Sequence, residues 1–294
     1  MSQRKVSYGG QAVIEGVMLR GPDRYAVAVR RPDGNIGVVQ EDLANASRKR
    51  FFQLPIVRGA VLFVETLTLG IKTLMLSADL AGEEQEKLTP AQISMTVVTA
   101  MAFAIGLFIV LPTVLMSLVR RHMHAPVFFM NVAEGLLRAT VFVLYVFVIS
   151  RIQDVQRVLE YHGAEHKAIN AYDAGSVLSV ENVRSQSRLH PRCGTSFLLF
   201  VVLIGSVLFS FFGWPNMIQR IAIRLALLPL VAGLSYEVIR LSGLSTHPVS
   251  EALKKPGLLF QRLTTREPDD RQIEVALAAL SALAGAKGGS GQNA

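Results

Sequence analysis

Long uncharged runs dominate the hydrophobic pattern of the chain. Residues 92–119 include 28 positions without a charge, and a second uncharged run, residues 193–219, is most apolar over 196–213. Because about 20 apolar residues cross a bilayer as a helix, both runs predict transmembrane helices. Two further apolar stretches have a similar length but carry a few charges. The pattern therefore predicts four transmembrane helices in two hairpins, over residues 92–119, 132–150, 196–213 and 218–241.

The charges in the two less uniform stretches are compatible with a membrane span. Glu134 and Arg138 are four residues apart and can pair on one helix face. Arg220 and Arg224 lie near one end of their helix, from which long cationic side chains can snorkel to the membrane surface. We therefore expect one internal ion pair and two interfacial arginines.

Residues 56–80 form an apolar helical pattern with a charge at every seventh position. These charges are Arg58, Glu65, Lys72 and Asp79. Seven residues turn a helix by about 700°, so the four side chains form one narrow stripe of alternating sign. The pattern predicts a helix that lies at the membrane interface or packs on the helix bundle, with an ordinary amphipathic helix of a soluble domain as the alternative.

Before this helix the hydrophobic period changes to two, which is typical of β-strands. Residues 25–31 and 36–40 flank the turn sequence Pro-Asp-Gly-Asn, so a β-hairpin is predicted there. Residues 11–18 are bounded by glycines and are predicted to add one strand. The predicted fold class is mainly α, a polytopic helical membrane protein with a small N-terminal β-hairpin region.

These patterns divide the chain into six segments. A β-rich region and the amphipathic helix precede the first hairpin, and a polar segment joins the two hairpins. The C-terminal region contains a helix predicted over residues 272–284, followed by a flexible tail. The segment boundaries are 1–55, 56–80, 92–150, 151–195, 196–241 and 242–294.

The composition agrees with a membrane protein. Hydrophobic residues make up 51% of the chain and charged residues 18%, below the ~25% of soluble domains. This excludes a disordered chain, and the single cysteine, Cys193, excludes a disulfide-stapled secreted domain. Basic stretches with interleaved aromatic residues are too short for specific nucleic-acid binding. The partner that the sequence predicts is the lipid bilayer.

The distribution of basic residues predicts the orientation. The net charge is +8, and Lys and Arg concentrate in residues 1–55, 151–195 and 240–294. An even number of spans places these segments on one side, which the positive-inside rule makes cytoplasmic together with both termini. The basic segment 120–124 then lies outside, against the rule. A fifth span over residues 56–76 is therefore the alternative.

Metal-ligating residue types concentrate in the segment between the hairpins. His162 and His166 are four residues apart and share one helix face, so two imidazoles can reach one ion. With Glu165 they form H-x-x-E-H, the order found in inverted zinc hydrolases. His190 and Cys193 have the spacing of a second chelating pair. Imidazole with thiolate favours zinc, so the sequence predicts a divalent-metal site with Zn²⁺ as its ion.

The number of protein ligands separates two roles for this site. Four would close it and make it structural, whereas three would leave a position for water and make it catalytic, with Glu165 as the general base. Glu237 in the last predicted span is a candidate further ligand or hydrogen-bond acceptor for a ligating histidine. Pairing of Glu237 with Arg240 or Arg58 is the alternative.

Four blocks of the sequence resemble the YqhQ-like family of bacterial membrane proteins, a family of unknown function. They are GGQAVIEGVMLRGP from Gly9, YHGAEHK from Tyr161, HPRCGTSF from His190 and PGLLFQRLTTREP from Pro256, in the family's order. The resemblance implies a multi-pass plasma-membrane protein and a metal-dependent enzyme, and it supports the five motif residues as site residues. It also implies a role, in a substrate clamp or in packing, for Gln11, Glu15, Arg20 and Arg266.

Two functions of different classes are consistent with these observations. The first is a membrane-embedded zinc hydrolase that acts on a lipid-linked or membrane-near substrate at the cytoplasmic face. The alternative is a non-enzymatic assembly factor or scaffold, in which a structural metal ties residues 151–195 together. A transporter is disfavoured, because few polar residues lie at membrane depth and no pair of broken helices stands out.

Overall fold

The computed structural model describes residues 8–43, 50–82, 89–123, 125–244 and 247–285. In this part of the chain the fold is mainly helical with a small antiparallel sheet, as predicted. The strands are β1 (Gly9–Val13), β2 (Gly16–Arg20), β3 (Arg24–Arg30) and β4 (Ile36–Asp42). The helices are α1 (Val57–Ala81), α2 (Pro90–Ile105), α3 (Leu111–His122), α4 (Val127–Ile149), α5 (Gln153–Ala174), α6 (Val180–Arg184), α7 (Gly194–Ser210), α8 (Met217–Leu244), α9 (Pro248–Thr264) and α10 (Asp270–Gly285).

The four strands form an antiparallel sheet in the order β1-β2-β3-β4. The hairpin predicted from the Pro-Asp-Gly-Asn turn is confirmed as β3 and β4, whose register pairs Arg30 with Ile36. Residues 11–18, predicted as one strand, instead form a second hairpin from β1 and β2. The prediction was wrong because the chain reverses at Glu15, which adopts a positive φ of 51°.

Both faces of the sheet are covered by helices. Side chains alternate between the faces along each strand. Val17 and Leu19 pack against α5 and α10, whereas Val13, Val27 and Val29 pack against the C-terminal half of α1. The sheet is therefore a buried central layer to which α5, the helix with the H-x-x-E-H motif, is attached.

Helix α1 packs on the rest of the protein through its charged stripe. Three of the four stripe residues pair with other elements: Arg58 with Glu237 of α8, Glu65 with Arg20 of β2, and Lys72 with Glu41 of β4. At its N-terminal end a Cβ on Gly59 would lie 2.9 Å from the Cα of Gly233 in α8, so small residues are needed where the helices touch. Of the placements predicted for this helix, the structure shows packing on the other elements through the charged stripe.

Among the described residues, four helices are long and apolar enough to cross a membrane. They are Val57–Ala81, Ala91–His122, Val127–Ile149 and Met217–Gly243. The number agrees with the sequence prediction, but the set differs. Helix α1 is included, whereas α7, predicted as a span, has only 17 residues and is shorter than the other four.

A buried charge cluster joins α4 to α8. The predicted pair of Glu134 and Arg138 is confirmed, with 3.3 Å between the charged groups. The prediction that Arg220 and Arg224 snorkel to the surface was wrong, because both are buried and pair with Glu134. Their partner lies on another helix, and spacing within one segment could not reveal it. Arg220 also lies over the ring of Trp214, 3.7 Å from its centroid.

Pro112 changes the helix geometry between α2 and α3. It has no N–H to donate to the carbonyl of Phe108 one turn earlier, and a π-helical turn, Gly106–Val110, precedes it. The freed carbonyl oxygen of Phe108 accepts a hydrogen bond from Nε of Arg138, at 3.1 Å. A proline is tolerated within this apolar helix because a neighbouring helix satisfies the carbonyl.

The C-terminal region contributes two helices. The helix predicted over residues 272–284 is confirmed as α10, and Asp269 and Gln272 cap it reciprocally with bonds of 2.8 and 2.9 Å. Helix α9 was not predicted, because Pro256 interrupts its pattern. It packs against α7 at Gly257, where a Cβ would lie 2.7 Å from Oγ of Ser196. The predicted flexible tail lies almost entirely outside the described residues.

Candidate metal centre

Helix α5 contains the H-x-x-E-H motif in its buried part. Residues 161–168 are all buried, in contact with the sheet and with α10. Gly163 allows the segment after α9 to cross α5 closely, because a Cβ at this position would lie 2.0 Å from the carbonyl oxygen of Arg266. This crossing brings the backbone of Thr264 to His162.

Three of the four predicted metal ligands converge. Nε2 of His162 lies 3.3 Å from Sγ of Cys193, and the rings of His162 and His166 have centroids 4.4 Å apart. One potential ligand atom from each residue lies within 4.8 Å of the others, and all three residues are buried. Two imidazoles and one thiol match the donor preference of zinc. The three side chains could therefore hold a metal ion.

Backbone carbonyls orient both imidazoles of this cluster. Nδ1 of His162 lies 2.6 Å from the carbonyl oxygen of Thr264, and Nδ1 of His166 lies 2.6 Å from that of Arg188. Because a carbonyl oxygen only accepts, each Nδ1 carries the proton and donates it. Each Nε2 then keeps its lone pair for a metal ion, with the outer partner fixing the ring.

The surroundings favour the deprotonated form of the ligands. Burial raises the pKa of the Cys193 thiol, but hydrogen bonding and charge interaction with His166, together with hydrogen bonds from Thr195, outweigh it and lower the pKa overall. Burial lowers the pKa of His166, against a raising influence of Cys193. Metal ligation needs a thiolate and neutral imidazoles. The electrostatics of the cluster therefore fit a metal site.

Glu165 lies between His162 and His166 on α5 and has an unsatisfied carboxylate oxygen. Among the described residues, its buried Oε2 has no hydrogen-bond partner. Burial raises the pKa of Glu165 to about 8, while His162 lowers it and Cys193 raises it further. A cation bound by the neighbouring ligands would lower this pKa again, since opposite charge favours the carboxylate form. A buried carboxylate oxygen without a partner needs an explanation, and a bound ion or its water supplies one.

His190, the fourth predicted ligand, stands apart from the other three. Its ring centroid lies 5.8 Å from that of His166, and its Nε2 lies 3.5 Å from a carboxylate oxygen of Asp173. The side chain of Gln261 accepts from the backbone N–H of His190 and donates to its carbonyl, both at 2.8 Å. This clamp holds the backbone of His190 beside the cluster, and its ligation of the metal stays a prediction.

Glu237 pairs with arginines. Its carboxylate lies 2.7 and 2.5 Å from two guanidinium nitrogens of Arg58 and 3.8 Å from a guanidinium nitrogen of Arg240. Of the roles considered from the sequence, the structure therefore shows the pairing with arginine. This contact joins α8 to the start of α1.

The four residues implied by the family resemblance connect elements around the centre. Their contacts are Gln11 with Gly70 and Thr73, Glu15 with Arg157 and Tyr161, Arg20 with Glu65, and Arg266 with Ser150 and Gln156. The first three attach the β1–β2 hairpin to α1 and α5. The fourth attaches the segment after α9 to α4 and α5. These contacts agree with the packing role rather than requiring a substrate clamp.

Residue type and spacing did not identify three residues of the centre, although Thr195 and Thr264 lie in blocks of the family resemblance. Thr264 and Arg188 act through their backbone carbonyls, for which residue type gives no signal. The hydroxyl of Thr195 lies 3.1 Å from Sγ of Cys193. Its position two residues after the only cysteine was the one available hint.

Comparison with known proteins places these residues in a family. The profile of the family described as "Protein of unknown function (DUF1385)" matches residues 54–286 and so includes the whole metal centre. The chain belongs to this family. It is 35% identical to the "Uncharacterized protein YqhQ" of Bacillus subtilis (strain 168), over 96% of this chain and 94% of the relative. No solved structure matches. The resemblance is thus confirmed for the family, and a metal-dependent activity stays a prediction.

Proposed function

We propose that this protein is a metal-dependent hydrolase of the bacterial plasma membrane, with Zn²⁺ as its ion. The observation that carries the proposal is the buried cluster of His162, His166 and Cys193 beside the unpartnered oxygen of Glu165. Three protein ligands leave a fourth position open, which is how catalytic zinc sites differ from structural ones. The supporting evidence is the donor set, its orientation and the free carboxylate.

The proposed spans are α2–α3, α4, α7 and α8. Helix α7 would extend about 26 Å at ~1.5 Å per residue, close to the ~30 Å hydrocarbon thickness. Helix α1 is not counted, because Leu69, Leu76 and Leu80 of its C-terminal half pack on the sheet. The sheet, α5 and α10 then lie at one end of the spans. The positive-inside rule makes that end cytoplasmic, together with both termini.

His162 and His166 would hold the ion through Nε2 and Cys193 through Sγ. A divalent ion in this position supplies Lewis acidity, which polarises the bond under attack and lowers the pKa of water. Glu165 accepts a proton from the attacking water, whose oxygen bonds to the electrophilic centre of the substrate. The bond between that centre and the leaving group breaks, and Glu165 returns the proton to the leaving group, so the reaction is a hydrolysis.

The substitution Glu165→Gln tests this role. It preserves the size of the side chain but removes the basic carboxylate, so metal should stay bound while the chemical step slows by about 100- to 10,000-fold. The assay is complementation of a strain that lacks the gene, run beside metal content and membrane abundance of the variant. A variant that accumulates normally, binds metal and complements fully would contradict the proposal.

The second candidate function is a scaffold with a structural metal. The observation that favours it is burial, since His162, His166 and Cys193 are each at most 8% exposed. The ion would then tie α5 to the start of α7. In that case Glu165→Gln complements fully, whereas His162→Ala fails because the two helices separate. The same pair of variants therefore separates the two functions.

A further inference from the structure

Four arginines share one cavity beside the metal centre. The cavity has a volume of about 260 Å³ and lies between the ends of α4 and α9. Its lining includes Arg151, Arg188, Arg262 and Arg266, with Phe147 and Leu263 as apolar neighbours. We refer to it as the arginine cavity. Its volume is just below the ~300–1,000 Å³ of typical small-molecule sites, so it can hold one headgroup-sized ligand.

The positive charge of the arginine cavity is largely uncompensated. Within the described parts of the chain, Arg151, Arg262 and Arg266 form no ion pair with a carboxylate. Arg266 donates instead to two neutral oxygens, Oε1 of Gln156 at 3.0 Å and the carbonyl of Ser150 at 3.2 Å. Arg151 stacks over the ring of Phe147, 4.5 Å from its centroid.

Arg188 has a carboxylate partner, but that partner is shared. The guanidinium of Arg188 lies 3.5 Å from Glu267, whose other oxygen lies 2.9 Å from Lys167. The side chain of Glu267 is 67% exposed, so solvent screens its charge. The cavity therefore keeps a net positive charge.

The four arginine side chains of the cavity favour a phosphate group as the ligand. A guanidinium presents planar, forked donors that match phosphate oxygens in bidentate geometry. Four guanidinium groups around one volume repel each other, and one doubly charged anion relieves that repulsion. A phosphate monoester fits this requirement better than a carboxylate, because it offers three acceptor oxygens and about two charges.

The position of the cavity indicates that the phosphate is attached to a lipid. The last turns of α4, which lead to the cavity, expose Leu144, Phe147 and Val148. Leu259 of α9, one turn before Arg262, is 64% exposed. Exposed apolar side chains just before the cationic end of a helix are typical of helices at a bilayer surface. The acyl chains then lie beside the helices, and the lipid headgroups lie at the helix ends.

Two chain segments, one at Arg188 and one at residues 264–265, contact both the cavity and the candidate metal ligands. Arg188 lines the cavity with its side chain and binds His166 through its carbonyl. Thr265 lines the cavity, and the carbonyl of the preceding Thr264 binds His162. A ligand in the cavity would therefore contact the two segments whose carbonyls orient His162 and His166.

We propose that the arginine cavity binds the phosphate group of a lipid-linked substrate. This inference rests on the proposed hydrolase function only in that it calls the bound lipid a substrate. The binding of a lipid phosphate can be tested without catalysis. The ligand class is an anionic phospholipid or a lipid-linked phosphate ester. Free phosphate is the other source of the same chemistry.

Lipid binding by purified protein tests the cavity. The detergent-solubilised full chain is titrated with short-chain phosphatidic acid, with the matching diacylglycerol and with inorganic phosphate, and binding is followed by native mass spectrometry. Phosphatidic acid should bind with one molecule per chain, and diacylglycerol should bind far more weakly. Equal binding of both lipids would overturn the proposal. Inorganic phosphate that binds as tightly as phosphatidic acid would overturn the lipid source.

Arginine variants locate the binding. Arg151 and Arg262 are exposed, so Arg151→Gln and Arg262→Gln should leave the fold intact. Each should weaken phosphatidic acid binding by about tenfold, the loss of one charge-assisted hydrogen bond. Lys255→Gln is the matched control, since it removes an exposed positive charge from the same helix outside the cavity. Arginine variants that bind like the control would overturn the proposal.

One more variant separates this site from the proposed catalytic function. His162→Ala removes a metal ligand without touching the lining of the cavity, so it should lose metal and still bind phosphatidic acid. Loss of lipid binding in the arginine variants, together with full complementation by Glu165→Gln, would keep the phosphate site and reject the hydrolase. Arginine variants with unchanged lipid binding would reject the site, whatever the result for Glu165.

Discussion

Nδ1 of His166 lies 2.6 Å from the carbonyl oxygen of Arg188, and the side chain of the same arginine lines the arginine cavity. One residue therefore contacts both a candidate metal ligand and the candidate phosphate site. A shift of the Arg188 backbone on ligand binding would change the orientation of the His166 ring directly. Because Nδ1 donation leaves Nε2 of His166 as the nitrogen that would face a metal ion, this hydrogen bond would couple the two candidate sites.

Metal content is the first measurable consequence of the cluster. We expect purified protein to carry about one zinc-like ion per chain, as a mononuclear site implies. His162→Ala, His166→Ala and Cys193→Ala should each lose it, since each removes one of the three convergent ligands. Elemental analysis of protein purified in detergent is the measurement.

His190 provides the comparison for this prediction. His190→Gln keeps a polar side chain at a position clamped by Gln261, and it should retain the ion. If His190→Gln is folded and loses metal as completely as His162→Ala, then His190 is a fourth ligand. The site would then be closed, which favours the structural function.

The buried cluster around Glu134 predicts a large loss of stability. Glu134→Gln leaves Arg138, Arg220 and Arg224 buried without a carboxylate partner. Breaking a buried ion pair in this way costs about 3–5 kcal/mol. Thermal or denaturant unfolding in detergent measures the effect.

An exposed ion pair of the same chain serves as the control for Glu134. Asp42 pairs with Arg24 at 3.9 Å, and the two side chains are 88% and 45% exposed. Asp42→Asn should change the free energy of unfolding by less than about 1 kcal/mol. Equal effects of the two substitutions would show that the cluster of α4 and α8 does not stabilise the fold.

The sequence predicted what depends on local pattern. Apolar length predicted helices long enough to cross a membrane, and an Asp-Gly turn between period-two segments predicted the β3–β4 hairpin. The i, i+4 spacing of His162 and His166 predicted two imidazoles on one face of α5, which the structure shows. In each case the residues that form the pattern are only a few positions in sequence from the residues that form the predicted structure.

The sequence could not predict what depends on contacts between distant segments. Arg224 was expected at the membrane surface, yet it pairs with Glu134, which lies on another helix. Likewise, the spacing of His190 and Cys193 could not predict the contact of His190 Nε2 with Asp173. No residue pattern predicts that the backbone carbonyl of Thr264 contacts and orients His162.

Topology is the third prediction. The proposed placement puts Met123, which follows α3, outside the cell and Val177, which follows α5, inside. Both are exposed, at 57% and 75%. In a Cys193→Ser background, a membrane-impermeant thiol reagent added to whole cells should label Met123→Cys and leave Val177→Cys unlabelled until the cells are opened. The reverse pattern would favour a fifth span formed by α1.

The last prediction concerns Gly163, which supports the metal centre without a ligand atom. A Cβ at this position would lie 2.0 Å from the carbonyl oxygen of Arg266, so Gly163→Ala must displace the segment after α9. That segment directly follows Thr264, the last residue of α9, whose carbonyl accepts from Nδ1 of His162. Loss of such an outer partner lowers metal affinity by about 10- to 100-fold. Competition with a chromophoric zinc chelator measures the affinity.

Gly194→Ala is the matched control for Gly163→Ala. Gly194 directly follows the ligand Cys193, but a Cβ there meets no atom within 4 Å, so the substitution should leave metal affinity unchanged. A folded Gly163→Ala protein with the affinity of this control would show that the crossing of α5 does not position His162. If Gly163→Ala weakens zinc binding while Gly194→Ala does not, the close crossing is what orients the histidine, because the two substitutions add the same methyl group.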